Sequence, residues 1–224
     1  MSGNQDDATP PESKLTRTKR TWAREGRFLT GKVARPGEQR LPPGQHLTKD
    51  WPVLDLGTVP KTPLDHWKLD VYGEVDDRLT LDWAAFSKLP QSQFVTDIHC
   101  VTTWSRYDNT WQGVATRDLL DLVQPNEAAR FVMLHCYDGY TTNVPLEDFA
   151  AEDALFVHSW NGAPLTAEHG GPARLVIPQL YFWKSAKWIK AVEFMKQDAR
   201  GYWEDNGYHM RGDPWKEQRY SDDP

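Results

Sequence analysis

Cysteine is scarce in this chain, with two residues in 224, Cys100 and Cys136. So low a count excludes a disulfide-dense scaffold and leaves each thiol to packing, metal ligation or reactivity. Neither CxxC nor HxxxH spacing occurs. The pairs His99-Cys100 and His135-Cys136 fall on expected strands, where neighbours point to opposite faces. Neither pair can hand two ligands to one ion, so a structural zinc site is not expected. No apolar run approaches the ~20 residues that cross a bilayer. The first 30 residues hold no apolar leader segment, so the expected compartment is the cytoplasm. The phosphate-cradling patterns GxGxxG and GxxxxGK[ST] are absent, which argues against a nucleotide-binding fold. Ser105, Ser159 and Ser185 lack the context of a nucleophile elbow; a Cys100–His169 hydrolytic dyad stays open as an alternative.

Charge of one sign is also missing where nucleic acid would need it. The formal net charge is −6, with nine Lys/Arg against five Asp/Glu over residues 1–40 and seventeen against twenty-seven thereafter. A body so acidic lacks the clustered cations that neutralise phosphates, so nucleic acid is not an expected partner. Residues 1–45 are rich in Pro, Gly and charge without an apolar period. They read as a flexible extension, and residues 46–224 as the folded domain.

What is abundant is tryptophan, at eleven residues, enough to expect an aromatic interior or cleft. Over residues 67–75, Trp67, Leu69 and Val71 alternate with Lys68, Asp70 and Tyr72, the period of a half-buried strand. Residues 81–89 carry helical spacing, with Thr80 as N-cap and Pro90 as stop; residues 116–123 read as a second short helix closed by Pro125. Strands are expected over 94–101, 130–136, 154–160, 174–177 and 188–195, with a loop from 101 to 111 and an irregular tail from about 197. Short strands dominate without strand–helix alternation. The fold class is α+β, built on mixed irregular β-sheets with a few helices.

Two segments carry chemistry. Cys100 stands at a strand end in DIHCVTTWS, where a thiol is held rigidly and stays reachable for a transition metal; a buried apolar cysteine is the plainer alternative. The stretch HGGPARLVIPQLYFWKSAKW places His169, Arg174, Lys184, Ser185 and Lys187 among Tyr181, Phe182, Trp183 and Trp188. Forked and point cations set among aromatic rings suit an anionic group in a cleft, against a solvated basic loop as the alternative.

These same segments carry a family resemblance. IHCVTTWS followed by WQGV and RDLL resembles the molybdenum-cysteine segment of the sulfite-oxidase-like enzymes. DGYTTNVPLEDF resembles their active-site tyrosine segment, and NGAPLTAEHGGPARLVIPQLYFWKSAKW their pterin-phosphate segment, over roughly residues 46–196. The resemblance implies a sulfite-oxidase-like molybdopterin-binding fold with a molybdenum–molybdopterin cofactor. Cys100 would be the metal ligand. His169 and Arg174 would contact the pterin and its phosphate, with Lys184, Ser185 and Lys187 closing over the phosphate end. Tyr140 would place a hydroxyl near the reactive oxygen, Cys136 would add a pterin contact, and the segment containing His46, Lys49 and Asp50 would bind pterin from the N-terminal side.

The places where sulfite oxidases carry substrate-binding arginine and histidine are Thr48, Asp50 and Ser105 here, which disfavours sulfite. The chain looks like the small cytoplasmic bacterial branch. The activity so implied is two-electron oxygen-atom transfer on a small sulfite-, sulfoxide- or N-oxide-type substrate. Without a haem domain, a separate electron-transfer partner is expected. A non-catalytic pterin-binding or β-rich interaction module is the alternative outside catalysis.

Overall fold

The computed structural model describes residues 40–224 and the backbone of residues 30–32; most of the expected 1–45 extension lies outside the described residues. Two β-sheets organise the described residues. The larger runs through β1 (Thr30–Lys32), β5 (Ser92–His99), β6 (Trp104–Ala115), β9 (Leu155–Trp160) and β10 (Ala163–Pro164); β2 (His46–Leu47) pairs with β6 and β11 (Arg174–Val176) with β9. The smaller has the order β4 (Leu79–Asp82), β3 (Lys68–Gly73), β12 (Ile189–Met195), β7 (Phe131–Cys136) and β8 (Thr141–Pro145). Among the described residues four short α-helices accompany them: α1 (Trp83–Phe86), α2 (Thr116–Val123), α3 (Leu146–Phe149) and α4 (Tyr202–Asp205).

The alternation read in the sequence is what builds the smaller sheet. Leu69 and Val71 of β3, with Trp67 before it, are almost wholly buried, while Lys68, Asp70 and Tyr72 face outward. β12 then sits between β3 and β7, with Val192 level with Val71 on one side and Leu134 on the other. The larger sheet is covered on both faces. Phe156, Val114 and Leu175 point into the core shared with the smaller sheet, whereas Leu155, Val157, Trp111 and Val176 point into a second core with Trp51, Cys100 and Trp183. The candidate site opens beside this second core. At Gly113 the strand bulges against β9, and a Cβ there would stand 2.0 Å from the Phe156 carbonyl oxygen, so only glycine fits.

Several expectations change in detail. The loop expected from 101 to 111 is mostly strand: β6 starts at Trp104, because Cys100 to Thr103 already close a tight hairpin. The helix expected over 81–89 shrinks to α1. Its N-cap is Asp82, whose carboxylate accepts from the Ala85 N–H at 2.7 Å, while Thr80 lies in β4. β8 and α3 were not anticipated, and the tail contains α4. Among the described residues no helix is long and apolar enough to cross a membrane.

Candidate active site

A cleft of about 340 Å³, in the size range of small-ligand sites, is walled by residues 51–56, the hairpin turn at Cys100, Asp138 and Tyr140, side chains from the stretches 168–174 and 182–188 other than Lys184, and two residues of the C-terminal segment.

The hairpin presents the thiol. Cys100 N–H donates to the Trp104 carbonyl at 2.8 Å and Thr103 N–H to the Cys100 carbonyl at 3.0 Å, with Thr103 at φ +73°. A β-branched residue in that region is strained, so the turn needs outside support. β2 and the residue before it supply it: His46 N–H donates to the Thr103 carbonyl (2.9 Å) and Gln45 Nε2 to the Cys100 carbonyl (3.1 Å). The Cys100 sulfur lies 3.1 Å from the Thr102 hydroxyl, and the residue is 5% exposed, at the cleft wall. Burial pushes its pKa up, against smaller opposing effects of the Thr102 hydroxyl and the Thr102 and Val101 N–H groups. A thiol so placed stays protonated until a bound cation takes its lone pair. Among the described residues no group of three or more His, Cys, Asp or Glu could hold a metal ion. A metal ligated by Cys100 would therefore need its other ligands from a cofactor.

Arg174 lies on the wall of the same cleft at 3% exposure, its guanidinium 4.3 Å from the centre of the Phe182 ring. It donates to the carbonyls of His169 (3.0 Å) and Ser185 (2.6 Å), and pairs with no carboxylate among the described residues. Burial pulls its pKa down to about 9. A buried cation held only by neutral dipoles is costly unless an anion joins it. Lys187 stands nearby, its pKa lowered to about 8 first by burial and then by Arg174, with Asp55 at 4.0 Å. His169 stacks on Trp51 at 3.9 Å, and its nitrogens meet the Thr166 hydroxyl (2.9 Å) and the Trp51 carbonyl (3.2 Å). Gly170, at φ +103°, lets the chain turn between Arg174 and Lys187, whose Cβ atoms a side chain there would meet at 3.0 and 3.1 Å. An anionic group with a metal-bearing end fits this donor set.

The structure thus brings Cys100, Tyr140, His169, Arg174, Ser185 and Lys187 to one cleft and leaves other expected residues out. Lys184 is a correction. Its ammonium is wholly buried against Glu204 (2.6 Å), the Asn143 side chain and the Met210 carbonyl, away from the cleft, so it cannot close over an anion. His46, Lys49 and Asp50 are exposed and do not line the cleft; their segment acts through the backbone, and the next residues, from Trp51 onward, form the wall. Cys136 is buried behind the wall, its pKa well raised by burial, and makes no cleft surface. Tyr140 donates its hydroxyl proton to the Trp183 carbonyl at 2.7 Å. Both nitrogens of His169 are engaged elsewhere, which removes the Cys100–His169 dyad.

Sequence reasoning missed Trp51, Trp203 and Tyr208 as wall residues. The tryptophan excess was their one signal, and no spacing distinguishes a wall tryptophan from a core one.

Residues 56–203 match the family described as the oxidoreductase molybdopterin binding domain. A Bacillus subtilis (strain 168) protein named uncharacterized oxidoreductase YuiH is 49% identical over 183 residues, 81% of this chain and 92% of that protein. The protein-methionine-sulfoxide reductase catalytic subunit MsrP of Campylobacter jejuni is 30% identical over 163 residues, 62% of this chain; the aligned part spans about half, 52%, of that relative. Among solved structures, the sulfane dehydrogenase SoxCD from Paracoccus pantotrophus has the same fold, with a TM-score of 0.59 at 15% identity over 88% of this chain and 56% of that one.

Proposed function

Because this chain belongs to the oxidoreductase molybdopterin-binding domain family, as a sulfite-oxidase-like enzyme, we propose that it exchanges one oxygen atom and two electrons with a small uncharged sulfoxide or N-oxide. The observation that carries the reading is the shared cleft of the Cys100 thiol and the Arg174 cation, which pairs with no carboxylate among the described residues. When bound, molybdopterin-held molybdenum supplies the oxygen-atom and electron chemistry.

The chain's own residues do the rest. The Cys100 sulfur would ligate the metal, with the Thr102 hydroxyl and the Thr102 and Val101 N–H groups steadying its negative charge. Arg174 and Lys187 would hold the cofactor's phosphate, with His169 and its Trp51 platform against the pterin. Trp104 and Trp183 exclude water beside the thiol.

Charge selects the substrate. The cleft's cations Arg174 and Lys187 are assigned to the phosphate, and the thiol end of the cleft is walled by Val101, Thr102, Trp104 and Trp183, none of them charged. An oxyanion such as sulfite would need a cation there, whereas a neutral sulfoxide or N-oxide needs only a donor and apolar walls. The relative named as a methionine sulfoxide reductase supports this class.

Electrons would pass between the site and a separate redox protein. Two buried free thiols suit a reducing compartment, and we assign the cytoplasm. The test is elemental and pterin analysis of the purified protein, with a turnover screen over sulfoxides, N-oxides and sulfite using a viologen donor or acceptor. Molybdenum near one atom per chain and turnover of a neutral oxide are expected. Zinc alone, or activity confined to sulfite, would overturn the proposal.

A further inference from the structure

We propose that the C-terminal segment completes the substrate end of the cleft, with Tyr208 presenting the hydroxyl that meets the substrate oxygen. The inference rests on the reading above and adds a residue that lies beyond the family-matched region. Tyr140, the tyrosine expected in that role, has its proton committed to the buried Trp183 carbonyl, and turning it toward a substrate would orphan that acceptor.

Tyr208 is placed differently. It lines the cleft with Cys100, half-buried, and its phenol has no hydrogen-bond partner among the described residues. Its ring stacks on Trp203 (5.0 Å, 18°) and meets Trp183 edge-on (5.0 Å, 71°). Three rings therefore form an apolar corner with one free hydroxyl, which suits a neutral sulfoxide: polar at oxygen, apolar at its carbon substituents.

The corner is rigid for a stated reason. Tyr208 N–H donates to the Trp203 carbonyl at 2.9 Å, closing the turn after α4, and His209 N–H donates to the Arg219 carbonyl at 3.1 Å. α4 is itself pinned by Glu204, whose buried carboxylate accepts from Lys184 (2.6 Å), the Trp183 indole N–H (2.8 Å) and the Thr142 hydroxyl (3.0 Å). One carboxylate thus ties the Trp183 wall to the segment that presents Tyr208. A donor positioned in advance does not have to be ordered when the substrate arrives.

Tyr208→Phe keeps the ring packing and deletes only the hydroxyl. Turnover of methyl phenyl sulfoxide, binding of unreactive methyl phenyl sulfone followed by tryptophan fluorescence, molybdenum content and the thermal midpoint are compared with wild type and with Tyr202→Phe, an exposed phenol on α4, the helix just before Tyr208. Loss of kcat/KM by about 10- to 100-fold, with weaker sulfone binding, is expected for Tyr208→Phe at unchanged molybdenum content and midpoint. Wild-type behaviour should persist in Tyr202→Phe. Kinetics and sulfone binding in Tyr208→Phe indistinguishable from Tyr202→Phe would overturn the inference and leave the oxidoreductase reading standing. A molybdenum-loaded wild type that neither reduces the sulfoxide nor binds the sulfone overturns it as well. A wild type without molybdenum would sink both.

Discussion

Replacing Arg174 with methionine removes a buried cation while keeping an unbranched side chain in its place. The displacement of the guanidinium pKa from its ordinary value down to about 9 corresponds to about 5 kcal/mol of unfavourable burial of charge. Against that stand two well-formed hydrogen bonds, to the His169 and Ser185 carbonyls, at about 1.5–3 kcal/mol each for a charged donor. These opposing contributions are of similar size, so the cofactor-free variant should stay within about 2 kcal/mol of wild type. Cofactor retention behaves otherwise. An anion that loses its buried cationic partner loses about 3–5 kcal/mol, roughly a 10²- to 10³-fold weaker complex. The assay measures pterin and molybdenum per chain after gel filtration, alongside thermal unfolding of cofactor-free wild type and variant. Full pterin content in Arg174→Met would refute the anion-holding role. A cofactor-free variant destabilised by more than about 4 kcal/mol would show that the guanidinium is a structural strut instead.

Three further outcomes are expected. Cys100→Ser should abolish turnover while secondary structure and thermal midpoint hold, because serine is close to cysteine in size and can keep the hydrogen bond to the Thr102 hydroxyl; retained activity measured by the sulfoxide assay would contradict ligation. Glu204→Gln should leave Lys184 buried without its counter-charge and lower stability by about 3–5 kcal/mol in urea unfolding, although neither residue lines the cleft. Lys187 has its folded pKa lowered to about 8 from 10.5, so between those values the unfolded chain binds more protons and stability of the cofactor-free protein should rise with pH. Over the same window retention of the anion should weaken, since Lys187 and then Arg174 lose their charge; pterin release measured from pH 7 to 10 checks the sign, and Lys187→Met should remove the earlier part of the loss and leave the part due to Arg174.

The strands were legible because their signal is local. Alternation at Trp67, Leu69 and Val71 needs only the two-residue period, and the apolar run of β7 needs only its length. The reversal at Cys100 was misjudged as a long loop because β6 is rich in polar residues that its neighbours satisfy. Asn109 Nδ2, for example, donates to the Thr96 and Arg106 carbonyls, a pairing invisible until β5 lies beside it. The grouping of cations after His169 was legible as a candidate anion site. Which of those cations face the cleft was not, because Lys184 and Lys187 differ by three positions and only the fold sends one into a carboxylate and the other to the cleft.

By itself the sequence determined the family, the thiol at position 100 and the presence of a cationic, aromatic segment, since these depend on residue types in fixed order. Tertiary structure decided that Arg174 meets no carboxylate among the described residues, that Lys184 is taken by Glu204, and that Trp51 and Tyr208 close the cleft from opposite ends of the described chain. The physical reason is that a side chain's charge state and reach are set by its neighbours in space, and those neighbours lie far away along the chain.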